Sequence, residues 1–213
     1  AARSMQRALD AHAQGAFNHE IAPVTITTRK GSHTVDTDEG PDASKLEKLG
    51  RLRAAFSPDG TVTAGNASSI ADGASSLMLM TAAMAEHHGI KPLARIKAHA
   101  THAGPPEYFT TAPIGAIQKV LDKAGWQANE VDLYEINEAF AMVTLLAIQA
   151  LKLDINRVNI HGGACALGHP IGASGARILV TLIHALKQKN AHKGVAALCI
   201  GGGEATAIAL ECF

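Results

Sequence analysis

Three runs of the chain carry side chains able to move a proton or hold a developing oxyanion: Asn137-Glu138-Ala139-Phe140, the glycine-rich stretch Gly162-Gly163-Ala164-Cys165-Ala166-Leu167-Gly168-His169-Pro170-Ile171-Gly172, and Cys199-Ile200-Gly201-Gly202-Gly203. Glycine lets backbone N–H groups approach a substrate with no Cβ in the way, and an imidazole and a thiol both exchange protons near neutral pH. Together these are the parts of a narrow acyl-transfer site. Each part also has a plainer explanation. His169 is one of eleven histidines and histidines are usually structural or on the surface. A free cysteine such as Cys199 is usually a small core residue. Asn137 can simply cap a helix.

The elements that must position these residues follow from the apolar pattern. A helix is expected from the start to about Gln14, a strand over Ile21–Thr28, a turn at Lys30-Gly31-Ser32, an acidic loop from Asp36 to Asp42, and a helix over Ser44–Arg53. Beyond Thr61 long alanine-rich segments predict a strand at Thr61–Ala64, a helix over Ile70–His87, a strand at Ala94–Thr101 and a helix over Pro113–Ala124. A strand at Val131–Ile136 then delivers Asn137 to a helix reaching about Leu151. A buried helix is expected over Ser174–Lys187, and strands over Gly194–Ile200 and Thr206–Cys212. This alternation predicts an α/β layered fold, with a boundary near Gly65.

Composition narrows the function. The 213 residues are 47% hydrophobic and 18% charged, as in ordinary globular proteins, and 19 basic residues balance 19 acidic ones. Nucleic-acid binding is therefore not expected, nor is a membrane partner. Three cysteines form no disulfide framework, which suits a reducing, cytosolic setting. His87-His88 and His99-Ala100-Thr101-His102 lack nearby ligands of metal-site form, so no metal is expected. The glycine runs match neither a dinucleotide fingerprint nor a Walker A loop. The chain opens on Ala1-Ala2-Arg3, in what looks like the middle of a longer protein.

The three runs resemble those of the thiolases, which make and break the carbon–carbon bond of 3-ketoacyl-CoA, and the resemblance extends along the whole chain. It implies a layered βαβαβαββ C-terminal half over residues 66–213, with residues 1–65 as part of the inserted CoA-binding loop domain. The half that carries the family's nucleophilic cysteine is not matched. By this resemblance His169 activates that cysteine and supports a thioester oxyanion, Cys199 is the general acid/base, the Gly201 N–H donates to the oxyanion of the covalent intermediate, and Asn137 holds an oxyanion-hole water. Ala64, Gly65, Ala67 and Ser68 lie along the pantetheine arm, Ser68 bonding one of its amides. Phe140 walls the tunnel, and Leu52, Ala55 and Phe56 bracket adenine. Read alone, Ser68 is a helix cap and Phe140 is core. Lys45, Lys48, Arg51 and Arg53 suit CoA phosphates, or form a solvated basic face. Pro41 stands where many bacterial members carry an arginine.

Phe109 with Ala112-Pro113 departs from the Met-Gly of many bacterial members and is similar to those that accept 2-methyl-branched acyl groups, which places Phe109 at the acyl end. Met5 falls near the tyrosine that holds potassium in that branch, so the ion is not expected. Cys165 matches no family catalytic position. The implied activity interconverts two acetyl-CoA with acetoacetyl-CoA and CoA by ping-pong transfer, with the CoA thioester as substrate, no separate cofactor, and a dimer-of-dimers assembly. The rival expectation is a non-catalytic acyl-CoA-binding or assembly protein. An oxoacyl synthase would pair two histidines where this chain has His169 and Cys199.

Overall fold

The computed structural model describes all 213 residues. Helix α1 (Ala2–Ala13) turns Met5, Ala8 and Ala11 inward along one stripe. The hairpin of β1 (Val24–Thr28) and β2 (Gly31–Val35) follows, pairing Val24 with Val35 and Thr28 with Gly31. Its first strand begins later than expected because Pro23 has no N–H to give a ladder, and its second strand was not foreseen. The helix expected over Ser44–Arg53 divides into α2 (Ala43–Leu46) and a 3-10 turn at Leu49–Arg51. Gly50 weakens any continuous helix there. The break also lets both Leu49 and Leu52 pack on Gly65, where an added Cβ would lie 2.5 and 2.6 Å from their methyl carbons.

Two further expectations fail, each for its own reason. Thr61–Ala64 contributes only an isolated bridge, Thr63 to Ala54, because the Asn66 side chain bonds Thr63 N and Thr61 O and draws this stretch into a turn. The helix expected over Ile70–His87 is confined to α3 (Ala82–His87), capped by Thr81. Residues before it are extended. Ala67 bridges Phe140 and Ile70 bridges His169, and a backbone engaged in such bridges cannot also be helical.

From residue 94 the structure follows the pattern closely. A four-stranded sheet has the order β3-β6-β5-β4, built from β3 (Ala94–Ala103), β4 (Leu133–Ile136), β5 (Lys193–Ile200) and β6 (Glu204–Cys212). β4 runs parallel to β5, and β6 is antiparallel to both β5 and β3. Central strand β5 is almost wholly apolar because helices cover both of its faces. On one face α4 (Ala112–Ala124) and α5 (Ala141–Leu151) bury Ile117, Val120 and Val143 against Tyr134, Ile136, Val195 and Ala197. On the other, α7 (Ser174–Gln188) packs Ile178, Leu182 and Leu186 on Leu133, Ala196 and Leu210. The short α6 (Ala164–Leu167) sits in the glycine run and receives Met5 and Ala8 of α1. Beyond β4, Val158 adds an isolated parallel bridge to Tyr134.

Candidate active site

β4 ends by handing its pairing to Asn137, whose N–H donates to Ala197 O at 2.9 Å. Asn137 is therefore the last residue held by the sheet. It is not a helix cap, since α5 begins only after Phe140. Its side chain is buried and its Nδ2 lies 3.3 Å from His169 Nε2, a contact made across 32 residues of sequence. Its Oδ1 is buried with no hydrogen-bond partner.

His169 enters from a loop whose shape depends on glycine. Gly168 adopts φ +87°, a left-handed conformation that side chains rarely take. The His169 N–H then donates to Ser69 O at 3.0 Å. On the far side of the ring, Nδ1 lies 2.6 Å from Ser174 Oγ, and that hydroxyl is also 2.9 Å from Pro170 O. Burial first, and the nearby Arg177 charge second, hold the imidazole below its ordinary pKa, so it is neutral at pH 7. A neutral ring can accept a proton.

Glu138, next to Asn137, organises the glycine run from within. Its carboxyl accepts from Ser4 Oγ at 2.6 Å, from Cys165 N at 3.1 Å and from Asn159 Nδ2 at 3.4 Å. Ser4 in turn accepts from Gly163 N at 2.9 Å. No side chain fits at 163, because a Cβ there would stand 2.6 Å from the Glu138 carboxyl carbon. Asn159, at φ 48°, uses its amide as a short substitute for a strand: Oδ1 accepts from Ile136 N and Nδ2 donates to Ile136 O, both at 2.8 Å. These bonds fix the end of β4, and with it Asn137.

Cys199 lies two residues beyond Ala197 on β5, the strand beside Asn137, and is buried with the larger apolar cluster. Burial raises its thiol pKa, keeping it protonated. The direct contact is between His169 and Asn137, and Cys199 makes no hydrogen bond to either. Gly201 is exposed in the turn after β5, with open space where a side chain would be. Cys165 is held differently: burial, with Glu138 beside it, pushes its thiol up to about 12, which makes it a poor nucleophile.

Ser68 joins the site by another route than a cap. Its N–H and hydroxyl both reach Ala139 O at 3.0 Å, so residues 66–70 form a strip between the Asn137 and His169 loops. Ala67 is partly buried in that strip, Gly65 is partly buried just before it, and Ala64 is exposed. Phe140 and Phe109 meet edge to face, with ring centroids 6.1 Å apart, at the margin of the larger core. Leu52 touches this group only at Gly65, Ala55 is exposed, and Phe56 is 81% exposed. Lys45, Lys48, Arg51 and Arg53 are exposed as well, although Lys45 Nζ bonds Gly40 O.

Sequence reasoning missed Ser4 and Ser174, and it quoted Glu138 without a role. Ser174 is five residues after His169, at the first turn of an apolar helix. A hydroxyl at that position is a readable signal, because the Gly-His-Pro turn brings it back over the ring.

A fold with this site is that of the thiolases. The model of the thiolase C-terminal domain matches residues 90–212 and that of the N-terminal domain matches residues 1–83. The chain belongs to the thiolase family. It is 50% identical to the acetyl-CoA acetyltransferase of Escherichia coli over 212 residues, covering 99% of this chain and 54% of that protein. It is 51% identical to the probable acetyl-CoA acetyltransferase of Dictyostelium discoideum, covering 98% of this chain and 50% of the relative. The crystal structure of the Bacillus anthracis acetyl-CoA acetyltransferase superposes with TM-score 0.96 at 44% identity, over 99% of this chain and 54% of that one. Human mitochondrial 3-ketoacyl-CoA thiolase gives 0.90 at 38% identity, with the same coverage. The chain thus spans about half the length of the relatives it matches. No helix is long and apolar enough to cross a membrane.

Proposed function

We propose that these 213 residues supply the proton-transfer and oxyanion-binding part of a thiolase-type acyltransferase that interconverts two acetyl-CoA with acetoacetyl-CoA and CoA. The observation that carries this reading is the 3.3 Å contact of Asn137 Nδ2 with His169 Nε2 at the end of β4, beside the end of the strand that carries Cys199. His169 takes the proton of an attacking thiol, leaving a thiolate to form the acyl intermediate. Asn137 Oδ1 holds a water that donates to the thioester oxyanion. Cys199, as the thiol, gives its proton to the acetyl-CoA carbanion in thiolysis; in condensation it first passes that proton to the departing CoA thiolate and then, as the thiolate, removes one from the acetyl methyl. The Gly201 N–H supports the second oxyanion. Losing one such donor costs roughly 10²–10³ in rate.

The substrates are acetyl-CoA, acetoacetyl-CoA and CoA, with no further cofactor. Ala64, Gly65, Ala67 and Ser68 follow the pantetheine arm, Phe140 its wall, Leu52, Ala55 and Phe56 the adenine, and Phe109 the acyl end. The Phe109–Phe140 contact supports placing the acyl end beside the wall of the pantetheine arm. A cytosolic setting and a dimer of dimers rest on the family resemblance, with three free cysteines in keeping with a reducing compartment. None of the three cysteines falls where the family places its nucleophile, so the 213-residue chain alone should not turn over acetoacetyl-CoA.

Thiolysis of acetoacetyl-CoA, followed in a polypeptide of full thiolase length containing these residues, tests the reading. Turnover should appear there, and Cys199→Ala should lower it by roughly 10²–10⁴ while CoA binding persists. A full-length polypeptide that binds CoA but never turns over would favour the acyl-CoA-binding alternative. A Cys199→Ala variant with more than about a tenth of the activity would return Cys199 to simple packing.

A further inference from the structure

We infer that Ser174 is a positioning residue for His169, fixing the ring as the Nδ1–H tautomer so that the lone pair of Nε2 faces Asn137 and the reacting groups. The proposal deepens the acyl-transfer reading and rests on it for its catalytic meaning, though the geometry stands by itself. Ser174 is fully buried at the start of α7, and its Oγ has two neighbours, His169 Nδ1 at 2.6 Å and Pro170 O at 2.9 Å. A hydroxyl has a single proton. If it goes to Pro170 O, the oxygen lone pair is left for Nδ1–H. Nε2 is then unprotonated and accepts from Asn137 Nδ2 at 3.3 Å.

Every donor in this row points the same way, from Asn137 Nδ2 to Nε2, from Nδ1 to Ser174 Oγ, and from Oγ to Pro170 O. Such chains strengthen their members by polarisation. The opposite assignment puts the hydroxyl proton on Nδ1 and a proton on Nε2. It would turn Nε2–H against the Asn137 NH₂, setting donor against donor. Relief would require rotating the Asn137 amide, which would leave Nδ2 without an acceptor in place of the unpartnered Oδ1. One row satisfies the ring and keeps an acceptor free for a water.

The chemical consequence is directional. A thiol proton must arrive at Nε2, because Nδ1 already bears one and is enclosed by Ser174. Its arrival displaces the Asn137 Nδ2 donor from the single Nε2 lone pair; the imidazolium keeps its Nδ1–H···Oγ bond, and Nε2–H becomes a donor toward the thiolate just formed. Ser174 thus touches neither substrate nor reacting atoms. It acts through the ring, as second partners of histidine commonly do.

Long-range ¹H–¹⁵N correlation spectra of the histidine rings in the 213-residue chain, with His169 assigned from His169→Gln, test this directly. The wild-type ring should show a pyrrole-like Nδ1 and a pyridine-like Nε2 at pH 8. Ser174→Ala should shift the population toward Nε2–H by roughly tenfold, the change expected when one tautomer loses about a pKa unit's worth of preference. Ser174→Thr, which keeps the hydroxyl, should restore the wild-type pattern. A wild-type ring protonated on Nε2 overturns the inference, with no need for any variant to fold. So does a folded Ser174→Ala chain with an unchanged tautomer ratio. Because no turnover enters the measurement, a protein that fails the thiolysis assay can still show this tautomer, and the two failures are distinguishable.

Discussion

Residues 94–212 and residues 1–93 obey different rules. In the C-terminal region the two main apolar clusters close on themselves: α4, α5 and α7 cover both faces of one sheet, and β5 buries both of its faces. In the preceding region both hairpin strands are exposed throughout, and Ile70, Met78 and Leu79 are 96, 83 and 74% exposed. Beyond the small apolar contact of Met5 and Ala8 with Ala166, what ties this region down is polar. Ser4 grips Glu138 and Gly163, Arg7 caps the carbonyls of Ile155, Val158 and Asn159, Glu20 meets Thr181, and Ser69 O receives His169 N. One region is held by what it buries, the other by what it grips. The residues of the candidate site lie where the grip meets the core.

The largest stability effect should come from within the closed core. Leu182 is fully buried, so Leu182→Ala should cost roughly 2–5 kcal/mol by leaving a cavity between α7 and the sheet, read as a fall in denaturation midpoint with unchanged slope. A loss under about 1 kcal/mol would mean that α7 collapses readily and that the core is not closed.

Next in size is the grip itself. Ser4→Ala leaves the buried Glu138 carboxyl and the Gly163 N–H each short of a partner, at a cost of roughly 1–3 kcal/mol. Hydrogen exchange at Gly163 and Cys165 should accelerate more than at Val195. Uniform acceleration would show that the two regions open together.

A smaller, pH-dependent effect separates them further. Burial raises Glu20 to about 7 and the fully buried Glu135 to about 8, from an ordinary 4.5. A carboxyl raised on folding stabilises fully below its unfolded pKa, and that contribution is lost as pH climbs through the folded pKa. Stability linked to Glu20 should therefore decline from about pH 4.5 to about pH 7. Glu20→Gln should remove that decline, so the midpoint difference between variant and wild type should move in the variant's favour as pH rises across this window. A constant difference would place Glu20 in solvent.

Smallest is Phe56→Ala. With the ring exposed, stability should change by no more than about 0.5 kcal/mol. Calorimetric titration with CoA should nonetheless weaken if Phe56 brackets adenine. Unchanged CoA affinity would remove Phe56 from the ligand's path.

The contrast also explains what could be read in the sequence. From residue 94 onward, apolar periodicity located every strand and the three long helices to within a few residues, because there each of them buries its face against a neighbour of the same region, while the short α6 was not foreseen. Asn137 and His169 were legible from motif and resemblance, and the structure puts them in contact. Ser174 and Ser4 were not, since a lone serine becomes informative only when folding brings it to an imidazole or a carboxyl. The helix expected over Ile70–His87 misled for a related reason. Its alanines and leucines fit a helix, yet the bridge from Ile70 to His169 and the bond from Ser69 O are long-range contacts that hold the stretch extended, and tertiary pairing overrides propensity.

The extended stretch before α3 also has a redox consequence. Met78 and Met80 in this stretch and Met84 within α3 are 83, 38 and 48% exposed, and Met142 on α5 is 42% exposed, whereas Met5 is 5% exposed on the inner face of α1. Thioethers in contact with solvent are the ones peroxide reaches first, and each sulfoxide replaces an oily contact with a polar one. Mild oxidation should therefore reach Met78 first, then Met84, Met142 and Met80, leaving Met5 intact. The order of oxygen uptake, read by peptide mass, becomes a built-in gauge of whatever covers this surface: cover it, and the sulfurs of Met78, Met80 and Met84 fall silent together.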